Sequence, residues 1–258
     1  MSVHNTCSYT YESLSHTVPA NAVPLPKPTE TSCPHPASSS TDDRCIFHSS
    51  DRDFPPTAIT DAFQAAVSAD DRDAAFAGGR ITDLKLADEE LSTPDGSPID
   101  LRGVTIDGSL SLEQATVTAP LLLGNAAITG DLNLAGATFT EPVSIAGADI
   151  GGQLTLHDTD IGGGIAANGL SAGFVDARGL TVNGPAIFRE ASFNANTRFA
   201  RTTFNGDLSF ADAEWRLLAD FAATSIAGAA DFTRVTVGGD FRMNAATSSG
   251  AVILTGAS

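Results

Sequence analysis

The chain repeats itself every eleven residues, and this period constrains its fold more than any other feature of the sequence. Apolar residues stand at this interval in two runs, separated by a slip of one residue near Ser171. The runs are Ile106, Val117, Ile128, Phe139, Ile150 and Ile161, then Val182, Phe193, Phe204, Trp215, Ile226 and Val237. A fixed period with an apolar anchor indicates a solenoid, in which each unit packs only on its neighbours.

Glycine marks one corner of the repeat. It stands two residues after the anchor in nine units, at Gly108, Gly130, Gly152, Gly163, Gly184, Gly206, Gly228, Gly239 and Gly250. Glycine adopts positive φ without steric cost, so we expect the chain to turn in that conformation at this column.

Short strands follow the corner. Apolar residues spaced by two, such as Leu110 with Leu112 and Leu121 with Leu123, lie on one face of a strand. Two units therefore predict a coil of 22 residues, with roughly seven coils along a rod of ~35 Å. Phenylalanines at repeat spacing in the second half are predicted to stack in the core rather than to form a ligand cage.

These columns resemble the pentapeptide-repeat family, whose motif is a small residue, Asp or Asn, Leu or Phe, and two variable residues. The matching segments are Ala219-Asp220-Phe221, Ala230-Asp231-Phe232, Gly130-Asp131-Leu132, Gly206-Asp207-Leu208 and Gly239-Asp240-Phe241. The resemblance covers about 160 of the 258 residues and implies an all-β, right-handed parallel β-helix without catalytic residues. The family repeats strictly every five residues, whereas this chain runs five plus six, so one corner is expected to be looser.

The charge composition limits the kinds of partner that the protein is expected to bind. The net charge is −17, with 31 acidic and 14 basic residues, of which only Lys27 and Lys85 are lysines. This balance argues against direct binding of nucleic acid phosphates, which requires a basic patch. It favours an extremely halophilic source, with an ordinary acidic cytosolic protein as the alternative. The sequence shows no run of 18 apolar residues and no secretory signal, so we expect a cytoplasmic protein without a membrane span.

Residues 1–56 differ in kind, because their Pro, Ser and Thr content does not build a packed core. All three cysteines, Cys7, Cys33 and Cys45, lie there, and His48 follows Cys45 at the usual close-pair spacing. Three thiolates and an imidazole make a four-coordinate tetrahedral zinc site, which would fold a segment that lacks a core. We therefore predict a zinc-binding head with these four ligands.

Other interpretations of the head stay open at this point. His35 and His4 are rival ligands, since Cys7 and Cys33 are not a close pair. The cysteines are also compatible with a partly disordered tail, or with a disulfide, which an odd count in a cytosolic context disfavours. The segment Asp43–His48 resembles the head of haloarchaeal pentapeptide-repeat proteins, and that resemblance favours zinc.

Residues 57–98 are predicted as a helical cap and lead-in, and residues 99–258 as the solenoid. Ile59, Phe63, Ala66 and Val67 fall on one helical face. A second short helix is predicted from Ser68 through Ala74, Ala75 and Phe76 to Gly78-Gly79. The C-terminal end carries no cap, so we expect either self-association through the solenoid ends or a chain that continues past Ser258. The resemblance implies that a membrane channel segment follows in such proteins.

No catalytic constellation is evident, since no Walker loop, dinucleotide fingerprint or nucleophile elbow occurs. We therefore expect a non-catalytic solenoid scaffold or regulatory region that binds a protein partner. The alternative, implied by the resemblance, is a DNA mimic that inhibits a topoisomerase-like enzyme. Mimicry needs continuous acidic columns, but Pro, Gly and Asn interrupt the column of Asp131, Asp207 and Asp240.

Overall fold

The structure is a computed structural model, and it describes residues 6–10, 32–38, 43–49, 54–69 and 74–258. From Arg80 onward the chain forms a solenoid of two-residue strands arranged in four parallel sheets of eight strands each. Successive strands pass through the four sheets in turn, so each round of the chain adds one strand to every sheet. This confirms the predicted all-β solenoid, with eight coils instead of roughly seven because the first coil begins at Arg80.

The strands of the four sheets are as follows. Sheet 1 contains Arg80–Ile81, Thr105–Ile106, Ala127–Ile128, Asp149–Ile150, Ser171–Ala172, Ser192–Phe193, Glu214–Trp215 and Thr236–Val237. Sheet 2 contains Leu84–Lys85, Leu110–Ser111, Leu132–Asn133, Leu154–Thr155, Val175–Asp176, Thr197–Arg198, Ala219–Asp220 and Phe241–Arg242. Sheet 3 contains Glu90–Leu91, Thr116–Val117, Thr138–Phe139, Asp160–Ile161, Thr181–Val182, Thr203–Phe204, Ser225–Ile226 and Thr247–Ser248. Sheet 4 contains Ile99–Asp100, Leu121–Leu122, Val143–Ser144, Ile165–Ala166, Ala186–Ile187, Leu208–Ser209, Ala230–Asp231 and Val252–Ile253.

Strand register confirms the 22-residue coil and locates the slip. Leu110 pairs with Leu132, and Leu132 with Leu154, at the full interval. The next partner of Leu154 is Val175, one residue early, whereas Ile150 still pairs with Ala172. The missing residue therefore lies in the corner between Ala172 and Val175, and the register after it resumes unchanged.

The two kinds of corner account for the alternation of five and six residues. Corners from sheet 1 to sheet 2 and from sheet 3 to sheet 4 mostly contain three residues, and the other two corners contain four. In the described part of the chain, ten non-glycine residues have positive φ, and each occupies a four-residue corner, as Gln114 (φ 56°) and Asn125 (φ 55°) do. The extra residue of the longer corners is thus accommodated by one residue in the left-handed backbone conformation.

The glycines that stand two residues after each anchor do not have the positive φ angles that the sequence predicted. Of these nine glycines only Gly108 has positive φ, so the predicted conformation is wrong for the rest. These glycines fall into two stacks, one in the corners between sheets 1 and 2 and one in the corners between sheets 3 and 4. Within the first stack, a Cβ on Gly130 would stand 2.7 Å from the carbonyl oxygen of Gly108. Glycine recurs here because the backbones of successive coils approach closely and leave little room for a Cβ where one of these glycines lies on another.

Apolar columns fill the solenoid. The predicted inward pairs are buried, since Leu110 and Leu112 expose 0% and 1% of their surface. In the second half the rings of Phe188 and Phe210 stack at a centroid distance of 4.7 Å, and Phe210 and Phe232 stack at 5.7 Å. These rings are fully buried, which confirms that the phenylalanines are core residues.

One helix, Pro56–Val67, is present in the described ranges, and it packs Ile59, Phe63 and Val67 into the core. The second predicted helix is wrong for Ala74–Phe76, which is extended: Ala75 forms a parallel bridge with Asp100. An open solenoid end offers unpaired strand groups, and pairing with them outweighs the weak helical signal of a short alanine-rich stretch. Residues 70–73 of this predicted helix lie outside the described residues.

Candidate metal centre

Two short segments of the head pair with each other and bring Cys7 and Cys33 together. Bridges between Thr6 and Pro36 and between Thr10 and Ser32 make the pairing antiparallel. The backbone N–H of Cys7 donates to the carbonyl of residue 35 at 2.9 Å, and the N–H of Cys33 donates to the carbonyl of residue 9 at 2.9 Å. Two cysteines far apart in sequence therefore become neighbours in space.

A tight turn supplies the other two side chains. The backbone N–H groups of His48 and Ser49 donate to the carbonyl of Cys45 at 3.0 and 2.8 Å, which puts Cys45 and His48 on the same side of the turn. The backbone N–H of Cys45 also donates to Sγ of Cys7 at 3.2 Å, so the turn is tied to the paired segments.

The four predicted ligands converge on one point. Their Sγ and Nδ1 atoms all lie within 4.8 Å of one another, and the side chains are buried. Cys33 Sγ lies 3.6 Å from Cys45 Sγ, and His48 Nδ1 lies 3.1 Å from Cys45 Sγ and 3.8 Å from Cys7 Sγ. A tetrahedral ion with ~2.3 Å bonds to sulfur and ~2.0 Å bonds to nitrogen requires edges of about 3.5–3.8 Å. The cluster therefore fits such an ion with small adjustments.

The remaining ring nitrogen of His48 has a fixed role. Nε2 lies 3.0 Å from the carbonyl oxygen of Ala77, and since a carbonyl only accepts, Nε2 carries the proton. Nδ1 is then left with a lone pair directed at the three sulfurs. A hydrogen bond from the second nitrogen is the usual way in which proteins orient a metal-binding histidine. The ring of Tyr9 stacks on that of His48 with centroids 4.0 Å apart and holds its plane.

The cluster already favours a thiolate. The hydrogen bond from the Cys33 thiol is the main reason why the pKa of Cys45 lies well below its ordinary value, although burial alone would raise that pKa. The pKa of Cys33 is raised, because its thiol donates this hydrogen bond to Cys45 and because it is buried. Burial also raises the pKa of Cys7. Thiolate is the form of cysteine that binds metal ions.

The structure bears on the alternative ligands His35 and His4 and on the alternative of a disulfide bond. His35 is buried, but its Nε2 lies 3.0 Å from the carbonyl oxygen of Ala75 and its ring packs on Phe76, so it is outside the cluster. His4 lies outside the described residues. The three cysteines are free thiols, and the 3.6 Å between Cys33 Sγ and Cys45 Sγ far exceeds the ~2.05 Å of a disulfide bond.

One segment, residues 74–79, joins the cluster to the solenoid; it is extended at Ala74–Phe76 and turns at Ala77 and Gly78. On one side it pairs with the first coil: the N–H of Phe76 donates to the carbonyl of Asp100 at 2.7 Å, and the N–H of Gly78 donates to that of Arg102 at 2.8 Å. On the other side the carbonyls of Ala75 and Ala77 contact the head histidines. These backbone contacts carry no sequence signal, which is why residue patterns alone do not reveal them.

Several aspartates on the surface of the solenoid are paired with arginines. Asp176 accepts hydrogen bonds from Arg178 at 2.6 and 2.8 Å, and Arg234 forms a similar pair with Asp212 in the preceding coil. His157 Nδ1 lies 3.2 Å from a carboxylate oxygen of Asp158, and both side chains are exposed.

Comparison of the chain with models of protein families, with curated proteins and with solved structures gave no match. Within the described ranges, no helix has both the length and the apolar character needed to cross a membrane. The site is therefore interpreted from its own geometry.

Proposed function

We propose that this protein is a non-catalytic solenoid scaffold whose head is held together by a structural zinc ion bound to Cys7, Cys33, Cys45 and His48. The observation that carries the proposal is the convergence of four buried ligand atoms within 4.8 Å of one another. Three soft sulfurs and one imidazole nitrogen favour zinc over magnesium or calcium, which prefer oxygen ligands.

A structural role is favoured over a catalytic one. Catalytic zinc sites keep one position open for water or substrate, whereas here four protein atoms complete a tetrahedron. All four side chains expose 5% of their surface or less, so substrate has no approach to them. The ion would hold together segments 6–10, 32–38 and 43–49, which are linked mainly by a few backbone hydrogen bonds.

The solenoid supplies the scaffold. Its flat sheets present ordered columns of side chains, a surface on which repeat proteins bind protein partners. The Ala-Asp-Phe and Gly-Asp-Leu segments support a repeat of the pentapeptide type, with which a protein-interaction role and a link to a membrane channel segment are compatible. The predicted protein partner, or a second copy bound at a solenoid end, belongs to this proposal.

DNA mimicry is the weaker alternative. A continuous negative surface is required, but arginines pair with acids along the coils, as Arg102 does with Asp100 at 2.6 Å and Arg242 with Asp240 at 2.7 Å. We expect no inhibition in a supercoiling assay with a purified topoisomerase. Inhibition at stoichiometric concentrations would favour mimicry over the scaffold.

Metal analysis tests the zinc centre. Protein purified without chelator is expected to contain one zinc per chain, and Cys45→Ser is expected to lose it. His35→Gln is the matched control, since His35 is an equally buried histidine of the same head whose side chain lies outside the cluster. Retention of zinc by Cys45→Ser, or its loss from His35→Gln with the fold intact, would contradict the assignment.

A Co²⁺ titration of the wild-type protein tests the site without a substitution, so its outcome does not depend on whether a variant folds. Wild-type apo-protein titrated with Co²⁺ is expected to show sulfur-to-metal charge-transfer bands and the intense visible bands of a tetrahedral site. The absence of these bands in a folded wild-type protein would refute the site, whatever the behaviour of the variants.

A further inference from the structure

The outer face of sheet 2 carries a row of alternating charges on the last four of its eight strands. The outward residues there are Asp176, Arg198, Asp220 and Arg242, and each lies beside the next in the strand register. Neighbouring members are ~4.8 Å apart, so the row is about 14 Å long. On the first four strands of this sheet Lys85 is the only charged outward residue. We name the four charged residues the sheet 2 ladder.

Ion pairs within the chain do not account for this alternation. Opposite charges on adjacent strands stabilise a sheet when their side chains meet. Within the described residues, however, no salt bridge joins one member of the ladder to another. Asp176 pairs with Arg178, and Arg242 pairs with Asp240, each at two residues' distance in its own coil. The two end members therefore have their partners outside the ladder.

The two central members, Arg198 and Asp220, form no salt bridge in the part of the chain that the structure describes. The guanidinium of Arg198 lies over the ring of Phe174, 5.2 Å from its centroid. A carboxylate oxygen of Asp220 accepts a hydrogen bond from the backbone N–H of Ala222 at 3.0 Å. Both residues are partly exposed, so a partner can reach their charges.

An exposed apolar corner lies next to the centre of the ladder. Leu217 and Leu218 directly precede the strand that carries Asp220, and Leu217 exposes 49% of its surface. Among the described residues, the other large apolar side chains with comparable exposure belong to residues 252–254 in the last coil. Burial of Leu217 against a protein surface would be favourable. The corner thus adds apolar area to the two unpaired charges.

We propose that sheet 2 binds a second copy of this chain, with the two solenoids side by side and antiparallel. A two-fold axis between Arg198 and Asp220 reverses the order of the ladder, so each member faces a residue of opposite charge. Arg198 then meets Asp220 of the partner subunit, and the reciprocal pair forms at the same time. The same axis brings the Leu217 corners of the two copies together. A parallel two-fold arrangement would instead place equal charges opposite each other.

The expected contact is small and reversible. Four coils span ~19 Å, which places this contact among the smaller protein interfaces. The net charge of −17 opposes association at long range, but charges farther apart than about 8 Å are largely screened at physiological ionic strength. The contact lies on coils five to eight, whereas the cysteine cluster adjoins the first coil. It is therefore independent of the metal centre and of the solenoid ends.

Charge reversal tests the proposal by sedimentation velocity of the full chain loaded with zinc, over a range of concentrations. The wild-type protein is expected to form a dimer at micromolar concentrations. Arg198→Asp and Asp220→Arg each place equal charges opposite each other, so each variant alone is expected to raise Kd at least about tenfold. An equimolar mixture of the two variants restores opposite charges across the axis and is expected to dimerise again.

Two further variants complete the test. Arg189→Asp makes the same change of charge at a corner between sheets 4 and 1, away from the ladder, and should dimerise as the wild type does. Leu217→Ser changes only an exposed side chain, so it should weaken the dimer without disturbing the fold, even if a charge reversal prevents folding.

Several results would overturn the proposal. A wild-type protein that stays monomeric would do so, as would a dimer that folded Arg198→Asp leaves intact, because association would then use another surface. Folded variants that fail to associate when mixed would exclude the antiparallel pairing. Species larger than a dimer that grow with concentration would exclude a closed two-fold contact.

Discussion

Glycine occurs in the corners of this solenoid for two different reasons: lack of space for a Cβ at some positions and a positive φ angle at others. At Gly206 the backbone of the preceding coil is so close that a Cβ would lie 2.6 Å from the carbonyl carbon of Gly184. At Gly169 the demand is conformational, since φ is +62° and no atom lies within 4 Å of the Cβ position. Side chains such as Asn125 and Asp158 occupy equivalent left-handed positions, so this second kind of corner tolerates substitution.

We therefore expect Gly206→Ala to destabilise the protein far more than Gly169→Asn. The alanine must push two stacked coils apart, at a cost of about 1–3 kcal/mol, whereas asparagine adopts positive φ at little cost. Chemical denaturation of both variants measures the difference in free energy of unfolding. An equal effect of the two substitutions would show that stacking distance is not what selects glycine in this column.

Asp176 gives a prediction about pH. Burial raises the pKa of its carboxyl, but hydrogen bonds from the side chain and backbone of Arg178 outweigh burial and hold that pKa below its ordinary value. A carboxyl with a lower pKa in the folded state stabilises above its unfolded pKa, and this contribution disappears as pH falls through the folded pKa. Asp176→Asn should thus cost up to about 1 kcal/mol at pH 7 and progressively less below about pH 4.

Arg178→Gln is the matching test of the same pair. It removes the donor and should reproduce the pH dependence of Asp176→Asn in acid denaturation curves. A difference from wild type that stays constant from neutral to strongly acid pH would mean that the hydrogen-bonded pair does not contribute through ionisation.

At the scale of elements, the coils depend on their immediate neighbours. Phe210 lies between Phe188 below and Phe232 above, with interplanar angles of 9° and 8°. Because solenoid units contact only adjacent units, a defect in one column should loosen a few coils before the whole rod.

Phe210→Ala should therefore cost about 3–5 kcal/mol through the cavity it leaves. Hydrogen exchange is expected to rise in strands Ala186–Ile187, Leu208–Ser209 and Ala230–Asp231, and to change little at Leu132–Asn133. Ser209→Ala, at the adjacent and only partly buried residue, is the control and should have little effect. A uniform rise in exchange over all coils would contradict nearest-neighbour behaviour.

Sequence periodicity predicted these elements well, because stacking repeats the same environment every coil and selects the same residues. The anchors, the inward pairs and the aromatic core are confirmed, as Ile106, Leu110 and Phe210 show. The positive φ predicted for the glycine column is wrong for eight of its nine glycines, because close approach between coils is a tertiary effect that a single unit does not display. The helix predicted over Ala74–Phe76 is wrong because the pairing partner of this stretch, Asp100, lies in the solenoid.

At the scale of the whole molecule, the cluster of Cys7, Cys33, Cys45 and His48 is connected to the solenoid through residues 74–79. The proximity of Cys45 and His48 is predictable from their close spacing in the sequence, whereas the placement of Cys7 beside Cys33 depends on backbone pairing that sequence patterns do not reveal. The choice of His48 over His35 depends on which ring meets the sulfurs, a matter of tertiary geometry. The domain boundaries, the halophilic source and the cytoplasmic location stay predictions.

Removal of the metal should act on the head and leave the coils folded. After chelation we expect hydrogen exchange to accelerate at residues 43–49 and 74–79, since His48 loses the interaction that fixes it against Ala77. Strands from Leu132 onward should keep their protection. Loss of protection along the whole solenoid would make the ion a determinant of the entire fold, contrary to the division proposed.

X-ray absorption at the zinc edge of the purified protein tests the central claim most directly, since it reports the ligands of the ion in solution. A centre of Cys7, Cys33, Cys45 and His48 predicts three sulfurs at about 2.3 Å and one nitrogen at about 2.0–2.1 Å. A shell made only of nitrogen and oxygen atoms, or one with fewer than three sulfurs, would contradict the assignment of these four residues as the zinc ligands.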